Sequence, residues 1–417
     1  MEIDSGNTAW VLASAALVLF MTPGLALFYG GMVRSKNILA MLMQNFFCMG
    51  LVSVIWAVLT YSLAFHGGGR FIGDLDLAWM RDVGTTHATG FEALTIPPLA
   101  FMAFQLMFAI ITPALITGAI ADRMKWVAWV CFLALWAVLV YAPVAHWVFS
   151  PAGWLFRRGA LDFAGGTVVH INAGIAALAA VLVLKKRRGW PDHAMPPHSL
   201  PFTLLGAGIL WFGWFGFNAG SALAGDGIAA QALVNTHMAA AAAMLGWLVV
   251  ERLKSGHATT LGAASGLVAG LVAITPCAGF VGGMAPIYIG LIAGALCYLA
   301  VSLKFRFGYD DSLDVVGVHL VGGIVGSLLL GFFADATINP LVGDHEGIFL
   351  EGGGTDLLMD QLVAVGATIV FSFVVTYVIC FVLDKVIPGG IRVTEEDEET
   401  GLDQTQHAET GYALERV

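Results

Sequence analysis

Two matching stretches decide the fold, DFAGGTVVHINAGI at residues 162–175 and DSLDVVGVHLVGGI at residues 311–324. In each stretch an aspartate precedes a histidine by eight residues, and the histidines are His170 and His319. Each histidine follows a valine, and a Gly-Ile pair comes four and five residues later. Two imidazoles at equivalent places in two hydrophobic segments predict a repeated architecture that brings them together at a pseudo-symmetry axis.

Composition places the chain in a membrane. Of its 417 residues, 58% are hydrophobic and only 12% are charged, and the mean hydropathy is +0.83. A soluble chain of this length would need more charge to cover its surface. The net charge of −10 comes largely from an acidic tail and acidic loops, so it does not indicate nucleic-acid binding. The five cysteines are scattered singly, which predicts neither a disulfide framework nor a metal site.

Eleven apolar segments are long enough to span a bilayer as helices. They lie at about 9–33, 38–65, 97–120, 126–149, 165–184, 203–222, 229–250, 259–276, 284–303, 314–335 and 361–387. The opening residues carry acids and no basic stretch, so the first segment is expected to be a span rather than a cleaved signal peptide. The sequence therefore predicts an all-α, polytopic protein of the cell membrane.

Basic residues predict the orientation. When alternate loops are assigned to opposite sides, fifteen of the 19 Lys and Arg residues fall on one side. The four on the other side are Arg70, Arg81, Arg157 and Arg158. The amino terminus is expected outside and the carboxyl terminus in the cytoplasm.

If segments one to five form a unit that segments six to ten repeat, the second copy must enter the membrane with opposite topology, because each unit has an odd number of spans. Five helices at about 9–184 form the first repeat, five more at about 203–335 form the second with opposite topology, and the eleventh helix lies outside both. Residues 1–388 then form one membrane domain. Residues 389–417 are polar and acidic, which predicts a flexible cytoplasmic tail.

Ionisable groups inside a bilayer are expensive, so the histidine pair is a functional hypothesis. Inverted topology brings His170 and His319 from opposite faces towards a shared midplane site, where neutral imidazoles can hydrogen-bond in a chain. Two independent structural histidines are the alternative, which a matched pair in a repeat makes less attractive. Eight of the other histidines are expected to have structural or loop positions; they are His66, His87, His193, His198, His237, His257, His345 and His407.

The aspartates admit two interpretations. Asp162 begins the fifth helix, where a carboxylate caps free backbone amides; it could equally support a cation, and both roles can coexist. On the other side, Asp310, Asp311 and Asp314 are expected to be structural caps.

Aromatic residues recur among small residues in three spans. These are FMAFQLMF at 101–108, YAPVAHWVF at 141–149 and WFGWFGFNAGSAL at 211–223. Core packing or lipid contact explains most such residues, but aromatic faces also attract cations. No Walker A, HExxH or GxSxG element occurs, so the sequence supports neither an ATPase nor a hydrolase, and no cofactor is expected.

At this point the chain resembles the Amt ammonium transporters of the Amt/Mep/Rh superfamily over nearly its whole length. The stretches that carry the resemblance are FYGGMVRSKN (28–37), FAIITPALITGAIADR (108–123), ALDFAGGTVVHINAG (160–174), WFGWFGFNAGSAL (211–223), DDSLDVVGVH (310–319) and GLDQTQH (401–407).

The resemblance implies a homotrimer of eleven-helix subunits, each with a narrow hydrophobic pore for ammonium or ammonia. In that pattern His170 and His319 line the pore, Phe108 and Phe217 form a stacked gate, and Phe108, Phe149 and Ser221 recruit ammonium in an outer vestibule. The supporting residues are Asp162, Trp214, Phe104 and Gln105.

One position departs from the family pattern. Family members usually carry a tryptophan where this chain has Phe149, and a phenylalanine face attracts a cation less strongly. The outer site is expected to be weaker, or Trp147 to substitute in part.

The expected mechanism is recruitment of the cation, its deprotonation and passage of ammonia along the histidine pair. Two alternatives remain: a neutral gas channel of the Rh kind, and a non-conducting ammonium sensor of Amt fold. The short tail and basic loops also fit docking of a PII-type regulatory protein.

Overall fold

The computed structural model describes residues 2–86 and 94–412, so His87 and the last five residues of the tail lie outside it. Eleven helices follow one another along the chain. They are α1 (Ser5–Met32), α2 (Ser35–Phe65), α3 (Pro98–Ile120), α4 (Trp126–Arg158, bent at residues 150–153), α5 (Gly166–Leu184), α6 (Leu200–Ala222), α7 (Gly227–Ser255), α8 (Thr260–Ile274), α9 (Ala285–Phe307), α10 (Val316–Phe333) and α11 (Asp356–Val386).

The all-helical prediction is confirmed. Across residues 2–86 and 94–412 no β-strand forms, and only an isolated bridge joins Met124 to Arg392. Each helix begins within five residues of its predicted segment. Ten of the helices are long and apolar enough to cross a membrane, whereas α8 is a shorter apolar helix of 15 residues. The orientation of the termini stays a prediction.

Small residues let the helices approach closely. A side-chain carbon added at Gly206 of α6 would lie 2.2 Å from the backbone nitrogen of Phe28 in α1. Likewise, a carbon at Gly294 of α9 would lie 2.1 Å from the carbonyl oxygen of Ala243 in α7. The α1–α6 contact joins the first helix of one predicted repeat to the first helix of the other, as a symmetric pairing of repeats requires.

The two histidine-bearing helices begin in the same unusual way. Gly166–Ile171 at the start of α5 and Val316–Leu320 at the start of α10 are π-helical turns, and each contains the histidine of its stretch. Such turns are wider than the α-helix and are frequent at functional sites. We call residues 161–172 the first arm and residues 310–321 the second arm.

The prediction of a flexible tail was wrong for residues 389–412. Residues 389–412 are packed onto the protein as an extended segment and two short helices, α12 (Glu395–Thr400) and α13 (Leu402–His407). Glu398 is 2% exposed, and its carboxylate accepts hydrogen bonds from the backbone N–H of Arg188 (2.7 Å) and from Arg392 (2.7 Å). These buried charge-assisted contacts hold an acidic segment that composition alone assigns to disorder.

The tail also reaches the start of α2. The Asp403 carboxylate accepts a hydrogen bond from the backbone N–H of Ala40 (2.8 Å), and the backbone N–H of Leu402 donates to the Asn37 side chain (2.8 Å). Asp403 is thus a helix cap supplied from a distant part of the chain. Burial raises the pKa of its carboxyl, against the lowering effect of the α2 amides.

Of the three aspartates predicted to be caps, only Asp311 is one, accepting a bond from the Val316 amide (2.7 Å). Asp310 instead forms a buried ion pair with Arg187 (2.9 Å). Burial would raise the pKa of Asp310, but its bonds to Arg187 and the charge of Arg123 hold it below the ordinary value. Asp314 pairs with Lys304 (2.6 Å). Nearby cations thus make two of the aspartates ion-pair partners rather than caps.

Candidate pore and vestibule

The two arms bring the histidines into contact. The Nδ1 atoms of His170 and His319 lie 3.2 Å apart, and the rings are nearly parallel, with an interplanar angle of 18°. Both side chains are buried, with 1% and 3% of their surface exposed. For this contact to be a hydrogen bond, one Nδ1 carries the proton and the other accepts it. Among the described residues, the Nε2 atom of His170 has no hydrogen-bond partner.

A narrow cavity of about 10 Å³ lies beside the histidine pair. It is lined by Met21, Leu25, Phe28, Ile111, Leu115, Val169, His170, Leu210, Trp214, Phe217, Val268 and His319. The space suits about one water-sized molecule. Apart from the two imidazoles and the Trp214 indole the wall is apolar, so an ion here would lose its hydration with little replacement.

Two aromatic residues of α6 cover the His170 ring. Trp214 stacks on it with ring centres 5.4 Å apart, and Phe217 lies at 6.1 Å. The Trp214 indole N–H donates to the Thr275 hydroxyl (2.9 Å), which fixes the plane of the indole. The predicted supporting residue Trp214 therefore lies in the cavity wall, and its polar atom is already satisfied.

A pair of phenylalanines separates this narrow cavity from a larger one. The ring centres of Phe108 and Phe217 lie 4.4 Å apart; Phe217 lines the narrow cavity and Phe108 lines the larger one. Phe104 is fully buried and packs edge-on against Phe108 at 4.9 Å. Phe104 lines neither cavity, so its position is behind the pair rather than in the path.

The larger cavity, which we call the vestibule, has a volume of about 650 Å³. It brings together five predicted residues, Gln105, Phe108, Phe149, Asp162 and Ser221. The Ser221 hydroxyl donates to the Phe217 carbonyl (2.8 Å), which leaves its oxygen lone pairs free to accept. Gln105 is 9% exposed, and its side-chain oxygen has no partner among the described residues.

Other vestibule residues were missed by sequence reasoning. The wall also contains Phe101, Phe156, Phe163 and His345. His345 was predicted to have only a structural or loop position. For Phe163, its place next to Asp162 in the sequence was the only indication of a role. Because these residues meet only through the tertiary fold, spacing along the chain does not reveal them.

Trp147 does not substitute for the missing tryptophan. It does not line the vestibule; its indole N–H donates to the Phe71 carbonyl (2.7 Å), and its ring packs on Phe371 at 4.6 Å. Side chains two residues apart on a helix point in different directions. Phe149 therefore faces the vestibule, and Trp147 lies on another face of α4.

Asp162 caps the first arm. Its two carboxylate oxygens accept hydrogen bonds from four successive backbone amides, Gly165 (2.8 Å), Gly166 (2.7 Å), Thr167 (2.8 Å) and Val168 (3.2 Å). Burial raises the pKa of this carboxyl and the four amides oppose that rise. The capping interpretation is thus observed. Asp162 also contributes to the vestibule wall, which keeps a supporting role for a cation open.

The second arm is capped less fully. Asp311 accepts a hydrogen bond from the Val316 amide (2.7 Å) through one oxygen, and its other oxygen has no partner in the described part of the chain. Burial, followed by the nearby charge of Asp314, raises the pKa of Asp311 to about 6. The two arms therefore differ in how firmly their aspartates are held.

Together these groups form a path with three environments. A polar and aromatic vestibule comes first, a tight phenylalanine pair follows, and a narrow apolar cavity with two bonded imidazoles lies beyond. Such an arrangement can hold a cation at aromatic faces and oxygen atoms, and can admit only a small neutral molecule past the rings.

Comparison with known proteins assigns the family. A model of the Ammonium Transporter Family matches residues 9–412. An ammonium transporter of Mycobacterium tuberculosis is 51% identical over 434 residues, covering 98% of this chain and 90% of the relative. The crystal structure of Candida albicans Mep2 has a TM-score of 0.90 at 34% identity, covering 100% of this chain and 94% of that one. A structure of a sensor Amt protein has a TM-score of 0.87 at 30% identity, covering 95% and 97%. The chain belongs to the ammonium transporter family and is a multi-pass protein of the cell membrane.

Proposed function

We propose that this protein transports ammonium by binding the cation in the vestibule, removing its proton and passing ammonia through the narrow cavity along the histidine pair. The observation that carries the proposal is the 3.2 Å contact between His170 and His319 beside a cavity that suits one small molecule. Family membership supports the substrate.

Selectivity follows from the cost of dehydration. K⁺ is similar to ammonium in size but cannot release a proton, so it must carry its full charge into an apolar wall. Ammonium escapes this cost because it releases its proton in the vestibule and its nitrogen crosses as ammonia. The proton crosses separately in this proposal, through a relay along the His170 and His319 imidazoles. Phe108, Phe149 and Ser221 recruit the cation, and Gln105 adds an oxygen acceptor nearby. Asp162, whose oxygens are bonded to backbone amides, supports the cation electrostatically, and Phe217 admits ammonia to the histidines.

The decisive experiment measures charge movement in proteoliposomes on a solid-supported membrane. Ammonium pulses are expected to give a current that equal K⁺ pulses do not, and replacing both His170 and His319 by Ala is expected to abolish the selective current. An unchanged current in the double variant would exclude the proton relay. A rise of internal pH without current would instead indicate neutral ammonia passage, as in a gas channel of the Rh kind.

A non-conducting sensor is the second candidate, because a sensor Amt protein shares the fold. A sensor would bind ammonium without current and without a change of internal pH. The narrow cavity beside the histidines favours the transporter, since a receptor needs the vestibule alone.

A homotrimer is proposed from the exposed faces of α6 and α7. Phe212 is 55% exposed and Leu245 is 58% exposed. His237, also exposed on α7, stacks on Trp211 at 5.2 Å. An imidazole facing lipid is costly, so a second copy is the expected cover for this face. Native mass spectrometry should give three times the 44.0 kDa of one chain; a monomer mass would contradict it.

We also propose that a PII-type regulatory protein binds the face of the protein opposite the vestibule. Arg188, which pairs with Glu399 of the docked tail (2.7 Å), and Lys254 are exposed residues of the predicted cytoplasmic side. Binding of a purified PII-type protein should block the ammonium current, whereas binding without inhibition would contradict a regulatory contact at the pore.

A further inference from the structure

Helix α11, which lies outside the predicted repeats, is hydrogen-bonded to the first arm. Gln361 of α11 is 1% exposed, and its side chain makes a closed pair of hydrogen bonds with Leu161. Its oxygen accepts from the Leu161 N–H (2.8 Å), and its nitrogen donates to the Leu161 carbonyl (2.8 Å) and to the Ser327 carbonyl (3.1 Å). Leu161 immediately precedes Asp162, the cap of the arm.

A second contact holds the other end of the same arm. The Ser372 hydroxyl donates to the Asn172 carbonyl (3.1 Å), two residues beyond His170. Both contacts join residues 200 apart in sequence. The arm and α11 therefore run in the same direction, and the two contacts stand about 16 Å apart along α11. Asp162 and His170 lie between them.

The second arm has no such support. Among residues 2–86 and 94–412, no hydrogen bond joins α11 to the second arm. Asp311 correspondingly accepts an amide bond with one oxygen only, whereas both oxygens of Asp162 are fully used. The pseudo-symmetric site is thus anchored on one side by an element that the repeat lacks.

We infer that Gln361 is a positioning residue that fixes the Asp162 cap and, through it, the π-helical turn that carries His170. Buried backbone N–H and C=O groups need partners. Without the Gln361 side chain, both groups of Leu161 lose theirs, and the loop must move to find others. Asp162 is the next residue, so its four amide bonds and the contact of His170 with His319 shift with it.

The test compares Gln361→Leu with a matched control on the same helix. Thr376, also fully buried, accepts a hydrogen bond from the Trp136 indole (3.0 Å), and no hydrogen bond joins its side chain to the first arm in the described part of the chain. Thr376→Val removes one buried bond without changing side-chain shape much. The first readout is hydrogen exchange at the amides of residues 165–168, measured by mass spectrometry on protein in lipid. The second is the ratio of ammonium to K⁺ current.

Gln361→Leu is expected to speed exchange at residues 165–168 about tenfold and to lower the current ratio by a similar factor, while Thr376→Val changes neither by more than about twofold. Wild-type exchange in folded Gln361→Leu would overturn the inference. Equal acceleration in both variants would also overturn it, because it would indicate general packing.

If Gln361→Leu does not fold, Ser372→Ala tests the other contact. It is expected to speed exchange in the first arm about threefold, and wild-type exchange would count against the inference. The effect on current rests on the proposed function. A wild-type protein that carries no ammonium current would refute that function, while the exchange comparison would still decide whether Gln361 positions the arm.

Discussion

Phe149 contributes an aromatic face to the vestibule, and a phenylalanine face attracts a cation less strongly than a tryptophan face would. The vestibule volume of about 650 Å³ leaves room for an indole. Phe149→Trp should lower the half-saturating ammonium concentration about two- to fivefold, because a tryptophan face adds roughly 0.5–1 kcal/mol of cation attraction.

Concentration-dependent currents measure this change. Phe71→Trp is the control, since Phe71 is exposed but does not line the vestibule. An unchanged or higher half-saturating concentration in Phe149→Trp would remove residue 149 from the recruitment site.

Asp311 is a buried carboxyl whose ionisation opposes folding. Its pKa is raised from 3.8 to about 6, chiefly by burial and then by Asp314, while Lys304 and the amides at the start of α10 oppose the rise. A carboxyl with a raised folded pKa destabilises the native state as the pH rises from about 4 through about 6. Asp311→Asn keeps an oxygen for the Val316 amide and removes this cost, which is at most about 3 kcal/mol at neutral pH.

Thermal unfolding between pH 5 and pH 7.5 is the measurement. The wild type should lose more stability than Asp311→Asn as the pH rises, and the variant should be the more stable protein at pH 7.5. Asp356→Asn, an exposed acid at the start of α11, is the control. A less stable Asp311→Asn at pH 7.5 would show that the ionised carboxylate stabilises the fold.

At the scale of elements, the helices were predictable because apolar runs of bilayer length leave the backbone few other solutions. The π-helical turns were not, since nothing in GTVVHI or VGVHL differs from an ordinary apolar helix. The docking of the tail was mispredicted for a related reason. Glu398 bonds to Arg188, which lies 210 residues earlier in the sequence, and composition contains no information about contacts between such distant residues.

Glu398 is expected to control docking of the tail. Glu398→Gln removes the charge that faces Arg392, which should weaken tail docking by about 2–3 kcal/mol. Limited proteolysis within residues 394–412 should then be at least about tenfold faster. Glu396→Gln changes an exposed acid of the same helix and should leave cleavage at the wild-type rate. Equal cleavage of the two variants would show that the buried ion pair does not hold the tail.

For the molecule as a whole, the histidine pair at the centre of the candidate site was predictable from the sequence, whereas part of the vestibule wall was not. The repeat alone indicated the histidine pair, because both copies of the stretch survive in the sequence. Phe156, in the last turn of α4, and His345, in the loop before α11, line the vestibule from positions that no periodicity in the sequence relates to it. Trp147 was mispredicted because its proximity in sequence to Phe149 says nothing about the face of α4 that each occupies.

Orientation in the membrane is the prediction at this scale. Asp76 and Lys254 are both exposed and fall on opposite predicted sides. In a Cys131→Ala background, which removes the one cysteine that is not buried, Asp76→Cys should react with an impermeant thiol reagent in intact cells. Lys254→Cys should react only after permeabilisation. The reverse pattern would invert the assigned topology.

The docked tail has a consequence for biosynthesis. Residues 392–403 tie together three segments, at Asn37 in the first turn of α2, at Arg123 between α3 and α4, and at Arg188 after α5. Synthesis starts at the amino terminus, so residues 392–403 leave the ribosome after all eleven helices. The three segments therefore stay unfastened until these residues have emerged, and a chain terminated before residue 392 lacks this fastening even if its helices are inserted. Assembly of this face of the protein thus waits until synthesis has passed α11.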